Sequence, residues 1–131
     1  MSFSVGSHLL YTPQETLGRC LEGSIILDVR PAILGTYKAF DVPDVLYCPW
    51  QDLDQFIDRL PVDREIIVAD SSGIQGREAM ELLISRGFKQ VAGLAGGIIE
   101  WERDGLPLLL DNQARLSGSC MCQLKFRYIM T

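Results

Sequence analysis

The chain carries one segment whose residue types and spacing could do chemistry: Ile66-Ile67-Val68-Ala69-Asp70-Ser71-Ser72-Gly73-Ile74-Gln75-Gly76-Arg77-Glu78-Ala79-Met80-Glu81-Leu82-Leu83. An apolar run, a glycine-bearing turn and a helix-forming run read as strand, tight loop and helix N-terminus. At such a junction unpaired amides and the positive end of the helix dipole converge on one point and make a cradle for an anion. A reactive residue would sit at the first position of that cradle, and this chain has Asp70 there. An aspartyl nucleophile usually works with a second carboxylate and a metal, which nothing nearby supplies. Counting instead from Ser71 to Arg77 gives a loop with a hydroxyl six positions before an arginine. A serine there lacks the acidity of cysteine and has no base, so the loop would at best trap an oxyanion. The expected ligand pocket is lined by Ser71, Ser72, Gly73, Ile74, Gln75, Gly76 and Arg77, with no metal and no cofactor.

Thiols are the other candidate nucleophiles. Cys48 and Cys20 fall at positions where cysteine packs as a small hydrophobe. Cys120-Met121-Cys122 differs, because two thiols two residues apart can relay sulfur, exchange redox state or form half of a soft-metal site. Along the same tail Cys120, Cys122, Leu124, Phe126, Tyr128 and Met130 alternate with Met121, Gln123, Lys125, Arg127 and Ile129. That is the period of a strand with one apolar face, which would pack on this domain or pair with a second copy as a homodimer. The single histidine, His8, opens a short apolar run and reads as structural.

These candidates are positioned by one domain. A chain of 131 residues with 47% hydrophobic content supports a single core, placed at residues 1–110 with an extension at 111–131. A net charge of −5 and a pI near 4.7 disfavour nucleic acid and anionic membranes as partners. No apolar run approaches the roughly 20 residues of a membrane span, so the expected location is the cytoplasm and the expected partner a protein or a small ligand. Four scattered cysteines in a chain of this size do not call for a disulfide framework.

Helix-like and strand-like stretches alternate, as in an α/β domain with a largely parallel sheet. His8–Tyr11 reads as a first strand, and Thr12-Pro13-Gln14-Glu15 as a capped helix start closed by Gly23. Ser24–Val29 reads as a strand buried on both faces, Glu65–Ala69 as the strand that feeds the loop, and Val45–Cys48 as a weaker strand. Trp50, Leu53, Phe56, Ile57 and Leu60 share one face of a helix that stops at Pro61. A helix over Arg77–Arg86 ends at Gly87, a strand runs from Lys89 to Leu94, and Gly96-Gly97 turns into a short helix.

Ile26-Leu27-Asp28-Val29-Arg30, together with Gly87-Phe88, Val91, Leu94, Gly96-Gly97-Ile98, Trp101 and Gly105-Leu106-Pro107, resembles the two signatures of the rhodanese-like domain family over roughly residues 8 to 108. The resemblance implies a three-layer α/β domain with about five mainly parallel strands, helices on both faces, and a ligand loop at the carboxyl end of the strand before residue 70. It also makes Asp28 and Arg30 the pair that supports that loop from a neighbouring strand end, for which a structural hydrogen-bond and charge network is the preferred reading. Active members begin the loop with a cysteine that carries sulfane sulfur as a persulfide. Counting back from Gly87-Phe88 puts that cysteine at Asp70 and the family's usual loop arginine at Gln75, with Gly76 where a small polar residue is usual. A carboxylate cannot become a persulfide, and its charge would fill the amide nest. Two like charges about 4 Å apart at an effective dielectric near 20 repel by roughly 4 kcal/mol, which disfavours an anionic substrate. The expectation is a domain inactive as a thiosulfate sulfurtransferase that acts as a binding or regulatory module. The alternative is a sulfur-carrier, sulfurtransferase or redox protein using Cys120 or Cys122.

Overall fold

The computed structural model describes residues 2–5, 8–31 and 38–110. In chain order its elements are β1 (Ser2–Val5), β2 (His8–Tyr11), α1 (Pro13–Leu21), β3 (Ile25–Asp28), β4 (Lys38–Phe40), β5 (Val45–Tyr47) and α2 (Trp50–Phe56), which tightens into a 3-10 turn at Ile57–Arg59. They continue as β6 (Ile66–Ala69), α3 (Ile74–Ser85), β7 (Val91–Leu94), α4 (Gly97–Arg103) and β8 (Leu108–Leu110). The main sheet has the order β1-β2-β7-β6-β3-β5. Its five strands from β2 to β5 run parallel, and β1 is antiparallel to β2 at one edge. Thus the rhodanese-like α/β fold implied by the resemblance is the one observed, with one antiparallel strand added.

Period-two side-chain alternation builds two cores from the same strands. Ile26, Ile67, Ala69, Ala92 and Leu94 face one way, against Cys20 of α1 and Ile98 and Trp101 of α4. Leu27, Ile66, Val68 and Val91 face the other way, against Leu53 of α2 and Ala79, Met80 and Leu83 of α3. Burial on both faces is why the central strands are nearly continuous apolar runs. β4 and β8 form a separate antiparallel pair that closes over the first core, where Phe40 meets Trp101 edge to face at 5.1 Å. The indole N–H of Trp101 donates to the Pro107 carbonyl at 2.8 Å.

Most sequence-based boundaries hold. Thr12 caps α1 through its hydroxyl, accepting from the Glu15 amide at 3.2 Å, with Pro13 at the first helical position. Two boundaries move. The helix expected from Arg77 starts at Ile74 with Gly73 as its N-cap, so Arg77 is its fourth residue rather than its first. The helix expected through Leu60 loses α geometry after Phe56 and finishes as a 3-10 turn before Pro61. Strands β1, β4 and β8 were not anticipated, because short runs such as Lys38-Ala39-Phe40 carry no periodicity to read. No helix among the described residues is long and apolar enough to cross a membrane. The extension with Cys120 and Cys122, and the strand expected there, lies outside the described residues.

Candidate functional site

The site is built at the carboxyl end of β6, between β3 and β7, where the register pairs Asp28 with Ala69. Asp70 follows immediately and is buried, with 4% of its surface exposed. Its carboxylate turns back into the loop. Oδ1 accepts the Gly73 amide at 2.5 Å, and Oδ2 accepts the amides of Gln75 at 2.7 Å and Gly76 at 3.1 Å. Gly73, the N-cap of α3, has no side chain to satisfy the first-turn donors and adopts φ of +101°, a conformation that favours glycine. Asp70 therefore does the work of an N-cap side chain from three residues upstream. It takes the second and third amides of the helix, the donors an N-cap serine or aspartate would normally accept.

The main chain of the same residue is held from the other side by α4. The Ile98 amide donates to the Asp70 carbonyl at 2.9 Å, and the Ile99 amide donates to the Ser71 carbonyl at 3.2 Å. Gly97 makes this approach possible. A Cβ on it would lie 2.5 Å from the Asp70 carbonyl oxygen and from Ser71 backbone atoms, and its φ is +62°. The Gly96-Gly97 pair of the sequence is thus a close contact between helix start and loop.

Below the carboxylate lies a cavity of about 30 Å³, lined by Leu10, Val68, Met80, Gly93 and Arg77 besides the loop itself. Gly93 sets its floor: a Cβ there would meet Met80 Sδ at 2.7 Å and Leu10 Cδ2 at 2.9 Å. Leu10, Met80 and Gly93 escaped the sequence reading. The available signal was a glycine inside the strand Val91-Ala92-Gly93-Leu94, which marks a place of close approach. Outside the loop a wider groove of about 360 Å³ is lined by Ser72, Ile74, Arg77, Leu94 and Ala95, with Leu10 again at its base.

The residues expected to line the pocket therefore divide. Gly73 and Gly76 are inside the cradle, and Gln75 contributes its amide to it while its side chain is exposed. Ser71 is half-buried, whereas Ser72, Ile74 and Arg77 are exposed on the groove. Asp28 and Arg30 form a buried pair, with Arg30 Nη2 2.7 Å from Asp28 Oδ2. The same guanidinium donates to the Lys38 carbonyl at 2.8 Å, so its direct hold is on β4 at the end of the crossover.

Neither described thiol reaches this site. Cys20 and Cys48 are buried and free. Burial, with Glu65 and Asp44 adding to it, pushes the Cys20 thiol up to about 12. Burial and Asp52 push Cys48 to about 11. A thiol is reactive as the thiolate, so both are inert near neutral pH. Among the described residues no group of three or more His, Cys, Asp or Glu side chains is arranged to hold a metal ion.

Known proteins supply the frame for this geometry. A "Sulfurtransferase" of Allochromatium vinosum is 34% identical over 89 residues, covering 67% of this chain and 80% of that protein. The "Thiosulfate sulfurtransferase GlpE" of Actinobacillus pleuropneumoniae serotype 5b is 30% identical over 88 residues, covering 66% of this chain and 79% of the relative. The solution structure of a rhodanese-like domain from Anabaena superimposes with a TM-score of 0.69 at 27% identity, over 79% of this chain and 81% of that one. The family model of the rhodanese-like domain matches residues 12–104, from the cap of α1 to the end of α4, and this chain belongs to that family.

Proposed function

We propose that this rhodanese-like domain does not transfer sulfur at its loop and serves as a binding or regulatory module, because Asp70 stands where active members carry their cysteine. One observation carries the reading: the carboxylate of Asp70 itself accepts three loop amides. In cysteine-based transfer a thiolate attacks the sulfane sulfur of thiosulfate, an S–S bond forms, and sulfite leaves with the electron pair of the broken bond. A carboxylate offers no sulfur for that bond. It also consumes the amides that would hold the terminal sulfur, and it repels an incoming dianion. Gln75 in place of the usual loop arginine removes a positive charge in the same direction.

The test is mass spectrometry of the whole chain after incubation with thiosulfate, beside a thiocyanate assay with cyanide as acceptor. An unmodified chain and no thiocyanate support the reading. Thiocyanate formed at a rate typical of the family, without labelling of a tail cysteine, overturns it. An adduct of about 32 Da, one sulfur atom, mapped to Cys120 or Cys122 makes the alternative of a tail-based sulfur carrier the correct one. In parallel, Asp70→Cys should gain that adduct at position 70, since the amides released by the carboxylate then face a thiol.

A further inference from the structure

Arg77 is set apart from the other arginines of the described residues. Arg19, Arg30, Arg64, Arg86 and Arg103 each pair with a carboxylate, and Arg59 lies over the Phe56 ring. Arg77 has no hydrogen bond or ion pair with any described residue. That is unexpected on charge alone, because acidic side chains outnumber basic ones 17 to 12 in the chain, so partners are in excess. Its position is equally specific: it borders both the small cavity beside Asp70 and the outer groove.

The groove gives the guanidinium an apolar companion surface. Leu10 and Ala95 line it, and Ile74, 79% exposed, stands at its rim. Three of the loop amides are already taken by the Asp70 carboxylate, whose charge also repels an anion from the loop itself. Its remaining anchor is Arg77. A lone guanidinium presents a planar fork that matches the two oxygens of a carboxylate. With no second cation among the described residues that line the groove, a monoanion suits the site better than thiosulfate or phosphate. A volume of about 360 Å³ falls in the range of small-molecule sites, which pair apolar walls with a few polar anchors.

We infer that the groove between β2, β7 and the first turn of α3 binds a small carboxylate with an apolar body, its head on Arg77 and its body along Leu10, Ile74 and Ala95. This names the ligand class of the binding module proposed above and rests on that reading. The anion site has in effect moved outward, from the loop amides to a side chain.

The experiment uses the full chain with octanoate as the probe, followed by NMR of the Leu10, Ile74 and Ala95 methyl groups and the Arg77 Nε–H. Octanoate should shift all of them saturably. Octylammonium and inorganic sulfate should bind at least tenfold more weakly. Arg77→Gln, an exposed change that leaves the core untouched, should weaken octanoate at least tenfold, and Ile74→Ser should weaken it while keeping the charge requirement. The inference fails if octanoate shifts none of these signals, if octylammonium binds equally well, or if Arg77→Gln binds octanoate as the parent does. Sulfate binding as tightly as octanoate would likewise remove the apolar floor from the site. Sulfur transfer is read by the thiosulfate assay and the groove by these signals, so failure of one reading is distinguishable from failure of the other.

Discussion

Two buried carboxylates sit at the ends of neighbouring parallel strands and are neutralised in different ways. Asp28, at the end of β3, meets a guanidinium: Arg30 donates to both of its oxygens from Nε and Nη2, with both side chains almost fully out of solvent. Asp70, one residue beyond the end of β6, meets only backbone amides. The first arrangement cancels a charge with a charge and ties down a crossover through the Lys38 carbonyl. The second shapes a loop, since each amide that Asp70 accepts fixes one residue of the turn into α3. A side-chain pair can be replaced as a unit, whereas an amide nest belongs to the main chain and survives loss of the side chain that fills it.

The largest effect expected from this contrast is at Arg30. Arg30→Met strands the Asp28 carboxylate in the core and should cost about 3–5 kcal/mol in denaturant unfolding, while Asp28→Leu with Arg30→Met should recover most of that loss. A loss below about 1 kcal/mol would mean that the two carboxylates do not differ as described. Asp70→Ala comes next. It leaves orphaned donors that water can reach, at a cost of about 1–3 kcal/mol. The amides of Gly73, Gln75 and Gly76 should then exchange faster with deuterium, and added sulfate should raise the melting temperature of the variant but not of the parent. Equal sulfate effects on both would show that the carboxylate does not block the cradle.

Glu65 extends the comparison with a third arrangement, a guanidinium together with neutral hydroxyls: Ser24 and Tyr11 at 2.7 and 2.6 Å, and Arg19 at 3.2 Å. Tyr11→Phe removes one of these hydrogen bonds and should cost about 1 kcal/mol. Burial first, then the hydrogen bond to Glu65 and its charge, push the Tyr11 phenol up to about 12 from its ordinary value of 10.0. The unfolded chain therefore releases this proton at lower pH than the folded one. The contribution is complete below about pH 10 and is lost as pH rises toward 12, so Tyr11→Phe should flatten the alkaline limb of the stability curve. The smallest effect is chemical. Iodoacetamide at pH 8 should leave Cys20 and Cys48 unmodified in the native chain and label them only after denaturation, as judged by peptide mapping.

Much of the architecture could be read from residue pattern because the central strands are buried on both faces and the helix ends carry their own punctuation, as at Thr12-Pro13 and Gly87. The anion cradle was legible for a similar reason, since Ile66–Ala69 followed by Asp70 and Gly73 is a local arrangement. The start of α3 was misplaced because its cap is not adjacent: Gly73 has no capping side chain, and the carboxylate that substitutes lies three residues earlier. The lining of the small cavity was hidden for the opposite reason. Leu10, Met80 and Gly93 come from three elements distant in sequence, and their meeting is a property of the strand order β2-β7-β6.

Residue 70 is gripped twice, with its carbonyl under the first turn of α4 and its side chain under the first turn of α3. Only the first of these contacts is independent of the side chain, so another amino acid at this position would keep its main chain in place while the second grip is lost. The frame of the loop is thus set by the backbone, and what fills it by a single side chain.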